Sequence, residues 1–79
     1  MNQYQHMTIM SRRLRTAIAN RDMNSEEASQ ALGWHSSSLS GYLNARHVMG
    51  SDKLAHFCQT VNVSADYILG LTDEPRRLT

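Results

Sequence analysis

The chain is poor in the residues that would mark it as disulfide-linked, zinc-binding or membrane-spanning. Its one cysteine, Cys58, cannot form an internal disulfide, and no CxxC pair or regular histidine spacing points to a metal site. No apolar run is long enough to cross a bilayer. The first residues also lack the basic start and apolar stretch of a signal peptide. We therefore expect a cytoplasmic protein without a membrane span, metal or other cofactor.

Length and charge narrow the function classes further. A chain of 79 residues can form one domain with a modest core, but it is short for an enzyme with a separate substrate-binding domain. No set of nucleophile, base and metal ligands can be named, so we expect no enzyme. The net charge of +1 is by itself no argument for nucleic acid. The distribution says more, because basic residues cluster early in the chain, at Arg12, Arg13, Arg15 and Arg21.

Apolar residues recur at helical spacing along the chain, and no strand pattern is present. This periodicity predicts an all-α fold, a compact bundle of about five helices in one domain over residues 1–79. Residues 1–7 are expected to form an N-terminal arm and residues 75–79 a C-terminal tail. The predicted helices are about Thr8–Arg21, two short helices between Asn24 and Asn44, one from Asp52 capped by Ser51 and ended by Asn62, and one from Ala65 to about Leu69 capped by Ser64.

The two short helices meet with almost no room between them. Asn24 can cap the first helix while Glu27 reaches back to the amide of the cap, the pattern called a capping box. Gly33 can close that helix in the left-handed conformation, which costs glycine little. The short connection forces a sharp angle between the helices.

Each of these helices has an apolar face that is expected to point inward. In the first helix this face is Ala28, Ala31 and Leu32, and in the second it is Leu39, Tyr42 and Leu43. The opposite face of the second helix is left free. It is small and polar, which suits insertion into a groove, and it comprises Ser36, Ser37, Ser40 and Gly41.

Together these segments resemble the lambda-repressor-like helix-turn-helix family, the group of phage repressors, Cro proteins and related bacterial regulators. Residues 24–33 are similar to the first motif helix and turn, Trp34 to the apolar residue that follows, and residues 37–43 to the recognition helix. The ending over residues 63–73 is also typical of the family. Departures are Ser25 where glutamine is common, Ser29 where alanine is usual, and Ala45 where glycine often follows.

The resemblance implies a role for particular residues in binding double-stranded DNA. It places base reading on Ser36, Ser37, Ser40 and Gly41, and phosphate binding on Ser25 and Asn44. Because Lys and Arg supply most of the affinity for DNA phosphates, we add the cations Arg13, Arg15, Arg46 and Lys53 as phosphate-binding candidates. The alternative for each cation is that it only keeps the surface soluble.

Serine hydroxyls pair with several bases, so this helix is expected to discriminate weakly by direct contact. Specificity would then depend on DNA shape, on water-mediated contacts, or on the loop that carries Arg46 and His47. Trp34 and Cys58 are expected to pack in the core rather than to act on a ligand.

We expect a homodimer that occupies an operator and acts as a repressor, in the manner of Cro and other short phage regulators. Tyr67, Ile68 and Leu71 are candidates for the dimer interface, with simple core packing as the alternative. Control would come from the protein's own concentration or from a regulatory protein partner. An alternative function is a protein-interaction module of the same fold, such as an antitoxin or antirepressor. The response to salt separates the two, because phosphate binding weakens steeply with salt.

Overall fold

The computed structural model describes residues 2–77, and this range folds into helices joined by turns and loops, without strands. The helices are α1 Gln3–Ala19, α2 Ser25–Leu32, α3 Ser36–Leu43, α4 Ser51–Val61 and α5 Ala65–Ile68. The prediction of an all-α bundle with five helices is therefore confirmed. The Cα radius of gyration of 11.5 Å is that of a compact chain of this length. None of the helices within residues 2–77 has the length and apolar character needed to cross a membrane.

Helix α1 begins five residues earlier than predicted. Asn2 caps it, with its Oδ1 accepting from the Gln5 amide at 2.9 Å while Gln5 Oε1 accepts from the Asn2 amide at 2.7 Å. This reciprocal pair is a capping box with Gln in the third helical position. The expected arm of residues 1–7 is thus wrong over residues 3–7, which are helical, and Met1 lies outside the described residues.

The start and end of α2 follow the prediction. Asn24 and Glu27 form the capping box, with bonds of 2.8 and 3.0 Å, and Gly33 has a left-handed φ of 75°. Three residues, 33–35, then separate α2 from α3, and the two helices pack against each other. The expected inward position of Ala31 is wrong, because Ala31 is exposed and Ser29 is buried in its place. The Ser29 hydroxyl donates to the Glu26 carbonyl at 2.8 Å, which satisfies it inside the protein.

All five helices contribute to one core. Its largest fully buried side chains are Leu14 from α1, Leu39 from α3, Phe57 and Val61 from α4, and Ile68 from α5. Val63 is also buried, and so is Cys58, as the sequence predicted. This core fixes which sides of the short helices remain on the surface.

Helix α4 ends as predicted but begins differently. The residue that caps its start is Gly50 rather than Ser51, and no side chain bonds to the first amides. Asn62 ends the helix with a left-handed φ of 60°. Arg21 donates to the carbonyls of Val61 and Asn62 at 2.9 and 2.8 Å, so this arginine satisfies the end of α4 rather than facing a ligand.

The chain after α5 folds back onto the start of that helix. Ser64 caps α5 as predicted, its Oγ accepting from the Tyr67 amide at 3.3 Å. The Ser64 amide in turn donates to the Pro75 carbonyl at 2.8 Å. The segment expected to leave the domain at Pro75 is therefore attached to it at that residue.

Candidate nucleic-acid interface

The outward side of α3 carries polar side chains at successive turns. Ser36 and Ser37 lie in the first turn and are exposed, Ser40 is one turn later and half-buried, and Asn44 follows at the same spacing. Leu39 is fully buried on the opposite side and fixes the orientation of the helix. The hydroxyls of Ser36 and Ser37 make no hydrogen bond to another described residue, so they are free to meet a ligand.

The prediction that Gly41 reads bases is wrong, because the loop after α3 covers this residue. It is buried, and a Cβ added to it would lie 2.6 Å from Cδ2 of His47. Its carbonyl accepts from the amides of Arg46 and His47 at 2.9 and 3.2 Å. Helical spacing places position 41 one turn after Ser37, on the same side of α3, so Gly41 is covered by the loop that carries His47 and not by its position around the helix.

Three side chains at the end of α3 are joined by hydrogen bonds, and we name Ser40, Asn44 and Arg46 the Ser40 cluster. Asn44 Nδ2 donates to both the carbonyl and the hydroxyl of Ser40, at 2.9 and 3.1 Å. Arg46 Nη2 donates to the same hydroxyl at 3.1 Å. The chain can return in this way because Ala45 adopts a left-handed φ of 58°. No sequence pattern predicted this contact, since it depends on a reversal at a residue that is not glycine.

A groove between α1, the start of α2 and the end of α3 brings four of the predicted residues together. Its polar lining is Arg15, Ser25, Ser40 and Asn44, and its apolar lining is Ile18, Ala19, Met23 and Leu43. Arg15 supplies a positive charge there. The start of α2 is less favourable to an anion, because Glu26 and Glu27 follow Ser25 and Asn24 already accepts an amide hydrogen.

Arg13 has a different role from the one predicted. Its Nη1 donates to the carbonyls of Tyr67 and Thr72 at 2.7 and 2.6 Å, and its Nη2 donates to Asp73 Oδ1 at 2.9 Å. The guanidinium also lies 4.4 Å from the centroid of the Tyr67 ring. Its side chain is only 21% exposed. The expected phosphate contact is therefore corrected, because these contacts hold Arg13 against α5 and the segment that follows.

The predicted dimer residues occupy three different environments. Ile68 is 0% exposed, so its place in an interface is wrong, and it belongs to the core. Tyr67 is partly buried and covered by Arg13. Leu71 is 73% exposed and Leu69, which the sequence did not single out, is also exposed. Of the predicted set, Leu71 presents the freest apolar surface.

Lys53 lies beside the turn between α2 and α3 and does not line the groove. Its Nζ is 5.3 Å from the centroid of the Trp34 ring, a cation–π contact. Trp34 packs edge-on against Tyr42 and tilted against His56, with centroid distances of 6.0 and 5.7 Å. His56 Nε2 donates to the Leu32 carbonyl at 2.8 Å, because a carbonyl can only accept. Trp34 is thus a packing residue, as predicted.

The five helix starts fall into two groups. Side chains cap α1, α2 and α5, through Asn2, Asn24 and Ser64. Helices α3 and α4 follow His35 and Gly50 without a side-chain cap. Their first amides are left for water or for an acceptor from outside, and helix starts favour anions.

Cys58 is a titratable group whose pKa is shifted by its surroundings. Burial raises the pKa of the Cys58 thiol, and the positive charge of Arg77 partly offsets this. Cys58 belongs to the core, so its raised pKa reflects packing. Within residues 2–77, no three side chains of His, Cys, Asp or Glu come together in a way that could hold a metal ion.

Comparison of the chain with family models, curated proteins and solved structures finds no match. The candidate interface therefore depends on the residues and contacts described above.

Proposed function

We propose that the protein is a helix-turn-helix regulator of the lambda-repressor-like type, with α2 and α3 as the motif and α3 as the recognition helix. It would bind a double-stranded DNA operator as a homodimer and repress transcription. The observation that carries this proposal is the outward side of α3, where Ser36 and Ser37 are exposed and unbonded while Leu39 anchors the helix from behind.

The dimensions of α3 support this use. An α-helix with its side chains is about 10–12 Å across, and the major groove of B-DNA is about 12 Å wide, so a short helix such as α3 can lie in it. The side chains that would enter first are short, so the backbone of the helix can approach the base edges closely. The open N-terminus of α3 would face the negative potential of the DNA with its positive dipole end.

Affinity would come from the cations that other contacts leave available. Arg15 lines the groove beside α3, Arg46 extends from the Ser40 cluster, and Lys53 lies in the first turn of α4. If each protomer neutralises about three phosphates, the logarithm of the affinity falls with the logarithm of salt concentration with a slope of about −3 per protomer. Pairing through the exposed Leu71 would join two such surfaces in one homodimer, as recognition of two half-sites requires.

Selection of bound fragments from random DNA at two salt concentrations tests the proposal directly. We expect a palindromic site whose binding weakens with salt at the slope given above. Ser37→Ala should lower affinity for the selected site, while Thr60→Ala, an exposed substitution on α4, should leave it unchanged. A folded protein that ignores duplexes even in dilute buffer would refute DNA binding.

The alternative is the protein-interaction module of the same fold. The acidic pair Glu26 and Glu27 beside Ser25 favours it to a small degree, because these carboxylates repel phosphate near the groove. A partner bound with salt-insensitive affinity, together with no duplex binding, would support this alternative instead.

A further inference from the structure

The hydroxyl of Ser40 can no longer accept a hydrogen bond from a base and keeps only its single donor hydrogen. A serine hydroxyl has two acceptor lone pairs and one donor hydrogen. Both acceptor sites are used within the protein, one by Asn44 Nδ2 at 3.1 Å and one by Arg46 Nη2 at 3.1 Å. It therefore cannot accept from the amino groups of adenine or cytosine without releasing one of these partners.

Asn44 is similarly committed. Its amide nitrogen has two hydrogens, and both are directed at Ser40, one at the carbonyl and one at the hydroxyl. Only its carbonyl oxygen remains, and an acceptor cannot bind a phosphate oxygen. The predicted phosphate contact of Asn44 is thus inconsistent with the hydrogen bonds of the cluster.

Arg46 is the member of the cluster with donors to spare. A guanidinium has five N–H donors, and the bond to Ser40 uses one of them. Arg46 is exposed, and the left-handed Ala45 and the bond from the Arg46 amide to the Gly41 carbonyl hold its backbone against α3. The free edge can bind a phosphate through two parallel bonds.

We propose that Ser40 is a positioning residue, whose hydroxyl, itself held by Asn44, fixes the Arg46 guanidinium beside α3 so that Arg46 grips a phosphate of the DNA backbone. This inference rests on the proposed DNA binding and changes which residues read bases and which bind phosphate. Base edges are left to Ser36 and Ser37 in the first turn, and the end of α3 fixes the register of the protein on the duplex.

The proposal is tested with the full chain and a fluorescent duplex that carries the selected site, measured by anisotropy at several salt concentrations. Arg46→Ala should weaken binding to all single-base variants of the site equally and reduce the salt slope by about 1. Ser40→Ala should lower affinity about 2- to 10-fold, the cost of ordering one long side chain on binding, with base preference unchanged. Ser40→Thr, which keeps the hydroxyl, should restore binding.

The double variant Ser40→Ala with Arg46→Ala separates positioning from independent contact. If Ser40 acts through Arg46, the double variant binds no more weakly than Arg46→Ala alone. Additive losses, or a Ser40→Ala variant with altered preference at one base pair, would overturn the inference while leaving DNA binding intact. Failure of the wild-type protein to bind any duplex would overturn the proposed function and this inference together. Circular dichroism of each variant verifies that it is folded.

Discussion

Replacing Arg13 with alanine is expected to lower the free energy of unfolding by about 2–4 kcal/mol. Arg13 lies in α1, and the three groups that accept from it, the carbonyls of Tyr67 and Thr72 and the carboxylate of Asp73, are more than 50 residues away in sequence. These contacts connect the first helix to the last helix and to the segment that follows. Their loss would free the end of the chain from α1.

The magnitude follows from the separate contacts. Hydrogen bonds from a charged group contribute about 1.5–3 kcal/mol each, and we take about 1–1.5 kcal/mol for each carbonyl bond here because both are only partly buried. The cation–π contact with Tyr67 adds about 0.5–1 kcal/mol. The Asp73 side chain is 99% exposed, so its ion pair adds little. For a domain of this size the total corresponds to a fall in Tm of about 10–25 °C.

Urea denaturation followed by circular dichroism measures this loss. Arg12→Ala is the matched control on the same helix, because Arg12 is exposed and its substitution should change stability by less than about 0.5 kcal/mol. Arg13→Lys should recover only part of the loss, since an ammonium cannot supply the planar fork. An unchanged urea midpoint in Arg13→Ala, or a reduced salt slope of DNA binding in the folded variant, would refute the structural role given to Arg13.

Substitutions at four further positions probe the backbone and the core. In urea denaturation, Ala45→Gly should raise stability by about 0.5–1 kcal/mol because Ala45 has a left-handed φ. Gly33→Ala should lower stability by about 1 kcal/mol through the same left-handed φ, since the added Cβ would meet open space. A loss of stability in Ala45→Gly or a gain in Gly33→Ala would contradict this reasoning. In the His47→Ala variant, Gly41→Ala should stabilise α3 by about 0.5–1 kcal/mol. In the wild-type protein the same substitution should be less favourable, because the added Cβ meets His47. Equal effects in both backgrounds would exclude the clash with His47. Burial raises the pKa of Cys58, so the unfolded chain loses the thiol proton first, and stability should fall as pH rises above about 8.5; Cys58→Ala should lose this part of the pH dependence, and an unchanged profile would contradict it.

The candidate interface has few cations available to bind phosphate. Two of the early arginines are used to hold the fold together, Arg13 at the C-terminal segment and Arg21 at the end of α4. Fewer cations are therefore available to bind phosphate than the cluster of arginines in the sequence suggests. A small number of available cations fits the modest salt slope expected above.

Local sequence determined most of the helical framework. The capping residues bond to groups only a few residues away, so their roles follow from backbone chemistry without knowledge of the fold. These residues are Asn24 with Glu27, Gly33, Asn62 and Ser64. The same is true of the exposed Ser37 in the first turn of α3, because helical spacing places it nearly opposite Leu39. The start of α1 was equally local, since the pairing of Asn2 with Gln5 obeys the same capping rule.

Only the tertiary structure decided which polar side chains remain free to act. Arg13, Arg15 and Arg46 look alike in the sequence, yet Arg13 is held by carbonyls far along the chain, Arg15 lines a groove and Arg46 is bound by Ser40. Gly41 is covered by His47 only because the chain reverses at Ala45. Hydrogen bonds between distant residues depend on how the helices pack, and helical periodicity carries no information about them.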